Sequence, residues 1–257
     1  MSYTILFLGD VMGRPGRNAI KQGVPSLLES YQPDFLIING ENAAGGVGIT
    51  PEIANEFFAI GADVITLGNH AFNKREIIPY LKQNSRIIRP VNMPEGTPGV
   101  GVTTVTKNDV TLTVVNACGR VFMEGYNDPF AAMKAVRDEA QPHLFLDFHG
   151  EATSEKVAMG WFMDGFATAV VGTHTHIQTA DEKILPEGTA YITDVGMSGP
   201  QNGVIGMDRE IVLGKFLTSI PARFEVAEGP GVLHGVVVRA SKQTGRAESI
   251  ERIRFAT

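Results

Sequence analysis

The chain has 257 residues, 43% of them hydrophobic and 19% charged, and a net charge of −6. That length suits one large α/β domain or two small ones, and the acidic balance argues against broad electrostatic binding of nucleic acid. A single cysteine, Cys118, excludes an intrachain disulfide and fits a reducing compartment.

Residues 3–8 form a continuous apolar run, expected to be a central strand buried on both faces. No charged leader precedes it and it is too short to span a membrane, so the cytoplasm is the expected setting. Asp10 follows it, just past a strand's carboxyl end, where open α/β sheets place ligands. The alternative is an Asp that caps the next helix, expected over 17–31. A second run, 34–39, leads into Gly40-Glu41-Asn42 and the glycine-rich Gly45-Gly46-Val47-Gly48, whose backbone can approach a ligand closely. This loop lacks the lysine of a phosphate-binding P-loop and the spacing of a dinucleotide fingerprint. Thr50 should cap a helix over 51–60, with Pro51 at its first position. A third strand over 63–67 ends in Gly68-Asn69-His70. A helix over 74–84, kinked at Pro79, and a short strand over 86–91 follow.

Residues 102–106 and 110–116 flank Lys107-Asn108-Asp109 as a β-hairpin, with Cys118 a buried packing residue. Helical spacing returns over 129–140. A strand over 143–149 ends in His149-Gly150-Glu151, and a helix over 153–163 leads to an apolar strand over 166–171. That strand delivers Gly172-Thr173-His174-Thr175-His176. On an extended chain His174 and His176 share one face, roughly 6.5–7 Å apart, within reach of one metal or two adjacent ones. An isolated pair of this kind is more often a surface loop. Next come a strand over 188–193 and an amphipathic helix over 208–217, its apolar set being Ile211, Leu213, Phe216 and Leu217. Runs over 223–226, 232–239 and 248–255 suggest an antiparallel sheet at one edge. With no repeat or long linker, the chain reads as one domain, 1–257, of mixed sheets with helices outside.

Five strand ends thus carry Asp10, Glu41-Asn42, Asn69-His70, His149, and His174 with His176. In this order the series resembles the calcineurin-like metallophosphoesterase superfamily. Its usual blocks are Asp-x-His, Gly-Asp-x-x-Asp, Gly-Asn-His-(Asp/Glu), a lone His and Gly-His-x-His. Here they stand as Gly9-Asp10-Val11-Met12, Gly40-Glu41-Asn42, Gly68-Asn69-His70-Ala71, His149, and Gly172-Thr173-His174-Thr175-His176. Met12 replaces the first-block His, Glu41 the bridging Asp, and Ala71 the acidic residue after His70. Those departures, with the blocks from Asn39 to Gly46 and from Asp147 to Lys156, resemble the bacterial YmdB-like branch.

The resemblance runs from Gly9 to about Gly199. It implies a four-layered α/β/β/α sandwich of mixed β-sheets and a phosphoric diester hydrolase acting on cyclic nucleotides, with 2′,3′-cyclic nucleotides opened to 3′-nucleotides. It implies two metal ions per chain, bridged by Glu41, with Asp10, Asn42 and His176 on one and Asn69, His149 and His174 on the other. Attack by a metal-bridging hydroxide, with His70 as general acid, completes the implied mechanism. Mixed imidazole, carboxylate and carbonyl ligands suit iron, manganese or zinc better than magnesium, and iron is the first expectation. Two divalent ions less the charges of Asp10 and Glu41 leave an excess that a hydroxide and a diester monoanion cancel. A monoester dianion overshoots it by one. The alternatives are a broad-specificity phosphomonoesterase or nucleotidase, and a regulatory metal-binding module without catalysis. The expected partner is a small nucleotide diester, with no membrane and no strong nucleic-acid binding. A homo-oligomer is compatible with the sequence. The segment Gly45 to Gly48 is a candidate rim for the substrate pocket, and His143 and His234 read as structural.

Overall fold

Alternation within the first apolar run decides the layering. Tyr3, Ile5 and Phe7 turn to one side of their strand and join the apolar cluster between two sheets. Leu6 and Leu8 turn to the other side and pack against helices. The computed structural model describes residues 1–139 and 142–257. In chain order its elements are β1 (Ser2–Leu8), α1 (Gly13–Tyr31), β2 (Phe35–Asn39), α2 (Pro51–Ile60), β3 (Val64–Thr66), α3 (Ile77–Gln83), β4 (Ile87–Ile88), β5 (Val102–Lys107), β6 (Val110–Cys118) and α4 (Pro129–Glu139). They continue with β7 (Leu144–His149), α5 (Thr153–Phe162), β8 (Ala169–Thr173), β9 (Lys183–Ile184), β10 (Ala190–Ile192), β11 (Gly199–Pro200), α6 (Arg209–Thr218), β12 (Gly231–Ser241) and β13 (Ala247–Ala256).

One sheet runs β11-β12-β1-β2-β3-β4, with β13 also paired to β12; the other runs β5-β6-β7-β8-β10-β9. The strands β1 to β4 are mutually parallel, as are β6, β7, β8 and β10. The inner faces meet through contacts such as Phe7 on Phe145, ring centroids 5.2 Å apart. Helices α1, α2 and α3 cover the first sheet through Ile20, Phe57 and Leu81. Helices α4 and α5 cover the second through Met133 and Met159. The α/β/β/α layering that the resemblance implies is the layering observed.

Several boundaries differ for identifiable reasons. Helix α1 begins at Gly13 and its N-cap is Met12, which makes no side-chain hydrogen bond, so Asp10 does not cap it. Helix α3 begins only at Ile77; Pro79 therefore sits in its first turn, where no intrahelical N–H is required, and causes no kink. Thr50 does cap α2, accepting from the Ile53 N–H at 3.4 Å. The hairpin between β5 and β6 turns through Asn108 and Asp109, both left-handed at φ 48° and 63°. The run 223–226 makes no strand; Val226 forms an isolated bridge with Met207. Strand β12 is interior, with β1 on one flank, because its residues are apolar on both faces. Helix α4 is described over Pro129–Glu139, and Ala140, the last residue of the expected helix, lies outside the described residues. The expected strand over 166–171 is shifted to Ala169–Thr173, leaving Phe166 exposed. Helix α6 buries only Val212; Leu213, Phe216 and Leu217 of its apolar set are exposed.

Candidate metal centre

The loops after β1, β2, β3, β7 and β8 leave parallel strands at their carboxyl ends and bring polar side chains to one point. His149 closes β7 and is fully buried. Its Nε2 lies 2.9 Å from Asn69 Oδ1, 3.1 Å from Glu41 Oε1 and 3.1 Å from His174 Nδ1. Its Nδ1 lies 2.9 Å from Thr173 Oγ1, and Thr173 donates to Asp147 Oδ1 at 2.6 Å. Since the Thr173 proton is committed to Asp147, its oxygen accepts from His149 Nδ1–H and Nε2 is left facing the cluster. His174 is held in the same way: its Nε2 is 3.0 Å from Glu151 Oε2, which turns Nδ1 inward.

A second group shares Glu41. Asp10 Oδ2 accepts from the His174 backbone N–H at 3.1 Å and lies 3.3 Å from His176 Nε2. Asn42 Nδ2 is 3.0 Å from Glu41 Oε1 and 3.2 Å from His176 Nε2. The other ring nitrogen, His176 Nδ1, donates to the Ile205 carbonyl at 2.8 Å. Two oxygens in this group, Asp10 Oδ1 and Asn42 Oδ1, are buried without a hydrogen-bond partner among the described residues. Orphaned buried acceptors are costly, and here they sit beside imidazole nitrogens and carboxylates that also act as acceptors when the rings are neutral. Such a donor-poor set fits a cation, and Glu41, His149 and His174 alone offer three ligand atoms within 4.8 Å of one another.

Burial works against every charge in the cluster. It would raise the Asp10 carboxyl, but the His176 hydrogen bond and the nearby imidazoles hold it at about 2. It would raise Glu41 as well, which the charge of His149 pulls below the usual carboxylate value. It would lower His149, which Glu41 and Asp10 push up to about 9. It lowers His174, with the charge of His149 adding to the effect. In His176 burial is outweighed by the hydrogen bond to Asp10, which raises the imidazole. Asp147 is the one acid that burial carries upward, to about 6.

Asp147 also joins the sheets beneath the centre. Besides Thr173 it accepts from Thr66 Oγ1 at 2.5 Å and Asn39 Nδ2 at 2.9 Å. Asn39 in turn accepts the Glu41 backbone N–H at 3.1 Å. His174 and His176 reach the centre differently from the pleat argument: both are left-handed, at φ 100° and 67°, beyond the end of β8. Their turn is fixed by Thr175, whose N–H and hydroxyl donate to Asp194 Oδ2 at 3.1 and 2.8 Å. Asp194 is itself paired with Lys156 at 2.7 Å, both almost fully buried. His70 stands at the edge. Its backbone N–H donates to Glu41 Oε2 at 3.3 Å, and among the described residues its ring makes no hydrogen bond, to Asp10 or to any other group. The half-buried ring lines a cavity of about 440 Å³ that opens over the cluster, and Gly46 and Val47 form part of its rim.

A family model described as YmdB-like protein matches residues 6–253. The chain belongs to the YmdB-like family. It is 53% identical, over 97% of its length and 96% of the other's, to a 2′,3′-cyclic-nucleotide 2′-phosphodiesterase of Bacillus subtilis (strain 168). A crystal structure described as a novel phosphatase from Mycoplasma pneumoniae superposes with a TM-score of 0.94 at 32% identity, covering 100% of this chain and 94% of that one. The NAD nucleotidase of Haemophilus influenzae, at 14% identity, shares the fold: its TM-score is 0.60, with 100% of this chain and 56% of that one covered. The two-sheet sandwich of this YmdB-like chain is thus a fold it shares with that nucleotidase.

The structure brings together Asp10, Glu41, Asn42, Asn69, His149, His174 and His176, with His70 alongside. His143, bonded to the Tyr3 hydroxyl at 3.1 Å, lies outside the cluster, and so does His234, which lies beside Gly196. Sequence reasoning missed Thr173, Asp147, Glu151, the Asp194–Lys156 pair and the Ile205 carbonyl. A signal for Asp147 existed, since a lone carboxylate in the run Leu144-Phe145-Leu146-Asp147-Phe148 must find partners when buried. No helix among the described residues is long and apolar enough to cross a membrane.

Proposed function

We propose that this chain is a metal-dependent phosphodiesterase that opens 2′,3′-cyclic nucleotides at O2′ and releases 3′-nucleotides. The observation that carries the reading is the donor-poor cluster under the cavity, in a chain 53% identical to an enzyme with that activity. Asp10, Asn42 and His176 would hold one metal, Asn69, His149 and His174 a second, and Glu41 would bridge them. Iron is the first candidate, with manganese or zinc as alternatives. Two such cations supply Lewis-acid stabilisation to the attacking and leaving oxygens of an in-line displacement.

The protein's own groups do the rest. Thr173 and Glu151 hold the His149 and His174 rings with one nitrogen each turned inward. The Ile205 carbonyl does the same for His176. His70 lines the cavity, and among the described residues its ring makes no hydrogen bond, so it can donate a proton to O2′ as the P–O2′ bond breaks; a water oxygen bonds to phosphorus, and the proton this water gives up passes to solvent. A single domain spanning 1–257 carries this site, because both sheets contribute to it. The lone buried Cys118 agrees with a cytoplasmic setting.

The test uses protein loaded with manganese or iron and adenosine 2′,3′-cyclic phosphate, with products separated by chromatography. Adenosine 3′-phosphate is expected from the native chain. Glu41→Ala should lose both metal content and activity. A dominant 2′-phosphate would refute the direction of opening; a Glu41→Ala protein that keeps two metals and full activity would refute the centre.

A further inference from the structure

The cavity over the cluster has two unlike halves. One is polar, with Glu41, Asn42, His70, Glu151, His174 and His176. The other is apolar and comes from chain outside the motif blocks: Val204, Ile205, Met207, Val212, Phe216 and Phe224. Among the described residues Lys215 is the only lysine or arginine lining it, and its ammonium stands 4.8 Å from the centre of the Phe224 ring. At about 440 Å³ the space lies within the roughly 300–1,000 Å³ range of small-molecule sites.

Ile205 connects the halves. Val204 and Met207 exchange backbone hydrogen bonds at 2.9 and 3.0 Å, closing a two-residue hairpin turn. Its central residues, Ile205 and Gly206, are both left-handed, at φ 47° and 91°. That turn favours Asn, Asp or Gly at the first of these positions, and a β-branched residue there is strained. The carbonyl of Ile205 accepts from His176, and Ile205, half-exposed, is among the residues that line the cavity. A glycine would supply the carbonyl without strain. What isoleucine adds is apolar surface beside the polar half.

We infer that the apolar half, with Ile205 as its lip and Phe224 as its aromatic wall, is the nucleobase subsite of the enzyme. This deepens the phosphodiesterase reading and rests on it. A phosphate seated over the cluster leaves the attached nucleoside to extend into the same cavity. A flat, weakly hydrated base gains from the apolar and aromatic surface there, and with Lys215 the one charged group on that wall among the described residues, discrimination among bases is expected to be weak.

The experiment compares kcat/KM for adenosine 2′,3′-cyclic phosphate with that for 1-O-methylribose 2,3-cyclic phosphate, which lacks the base. A parallel calorimetric titration compares adenosine 3′-phosphate with ribose 3-phosphate. The native protein should favour the base-bearing member of each pair by about tenfold or more. Ile205→Gly and, separately, Phe224→Ala should reduce each ratio at least severalfold. A purely structural role for Ile205, acting through His176, would depress both substrates equally and leave the ratios unchanged, which overturns the assignment. Native protein that hydrolyses both cyclic phosphates without preferring the base-bearing one also overturns it, while the phosphodiesterase reading stands. Protein that opens neither substrate, though metal-loaded, sinks the reading beneath it.

Discussion

The two halves of the cavity are held in opposite ways. On the polar side three rings of the cluster are each fixed twice, once toward the centre and once by an outer partner: His149 by Thr173, His174 by Glu151, His176 by Ile205. Asp10 and Glu41 are buried in the junction of two packed sheets. On the apolar side, α6 is anchored by Val212 alone, and Phe216 and Leu217 are 79% and 83% exposed. On the polar side geometry has to be exact to within about half an ångström, while on the apolar side it need only exclude water. A cluster of like acceptors around cations needs a rigid frame, whereas an apolar wall can stay loosely attached and adapt.

Breaking the comparison at its polar extreme should give the largest effect. His70→Ala is expected to lower turnover of cyclic nucleotides by roughly 10²–10⁴-fold, to lower hydrolysis of nitrophenyl diesters far less, and to leave metal content intact. The contrast follows from leaving groups: a ribose alkoxide needs the proton, nitrophenolate hardly does. Equal losses on both substrate types would assign His70 to positioning, and loss of metal would make it a ligand or a support for one.

One step out from the centre the effect should be smaller. Thr173→Val keeps the shape but strips His149 Nδ1 and Asp147 Oδ1 of their shared partner. Metal affinity is expected to fall about 10–100-fold, read by competition with a chromophoric chelator, with a cooperative unfolding transition retained. Unchanged affinity would show that Asp147 and Thr173 hold the sheets together without tuning the centre.

On the apolar side, Leu217→Ser should change unfolding free energy by no more than about 0.5 kcal/mol in a denaturant titration, because the side chain packs against little. A loss above 2 kcal/mol would mean that this face is covered in solution, and the contrast between the halves would collapse.

Much of this was legible along the chain. Continuous apolar runs such as Tyr3 to Leu8 mark strands buried on both faces, and strand period, a local property, sends their successive side chains to opposite layers. Thr50-Pro51 announces a helix start and Asn108-Asp109 a tight hairpin, each through chemistry confined to a few residues. The seven candidate ligands and His70 were likewise readable, since each closes an apolar run and their order resembles a known series. Other features depended on what lies across the fold. The left-handed turns at His174 and His176 are set by Asp194 and its buried partner Lys156, the latter about twenty residues away in sequence. Asp147 finds partners on both sheets, one of them Asn39, 108 residues away in the chain. Helix α6 carries a local apolar pattern like any core helix, yet no layer covers most of it. Periodicity encodes which face of an element is apolar; only the assembled layers decide whether that face meets a core, a substrate cavity or water.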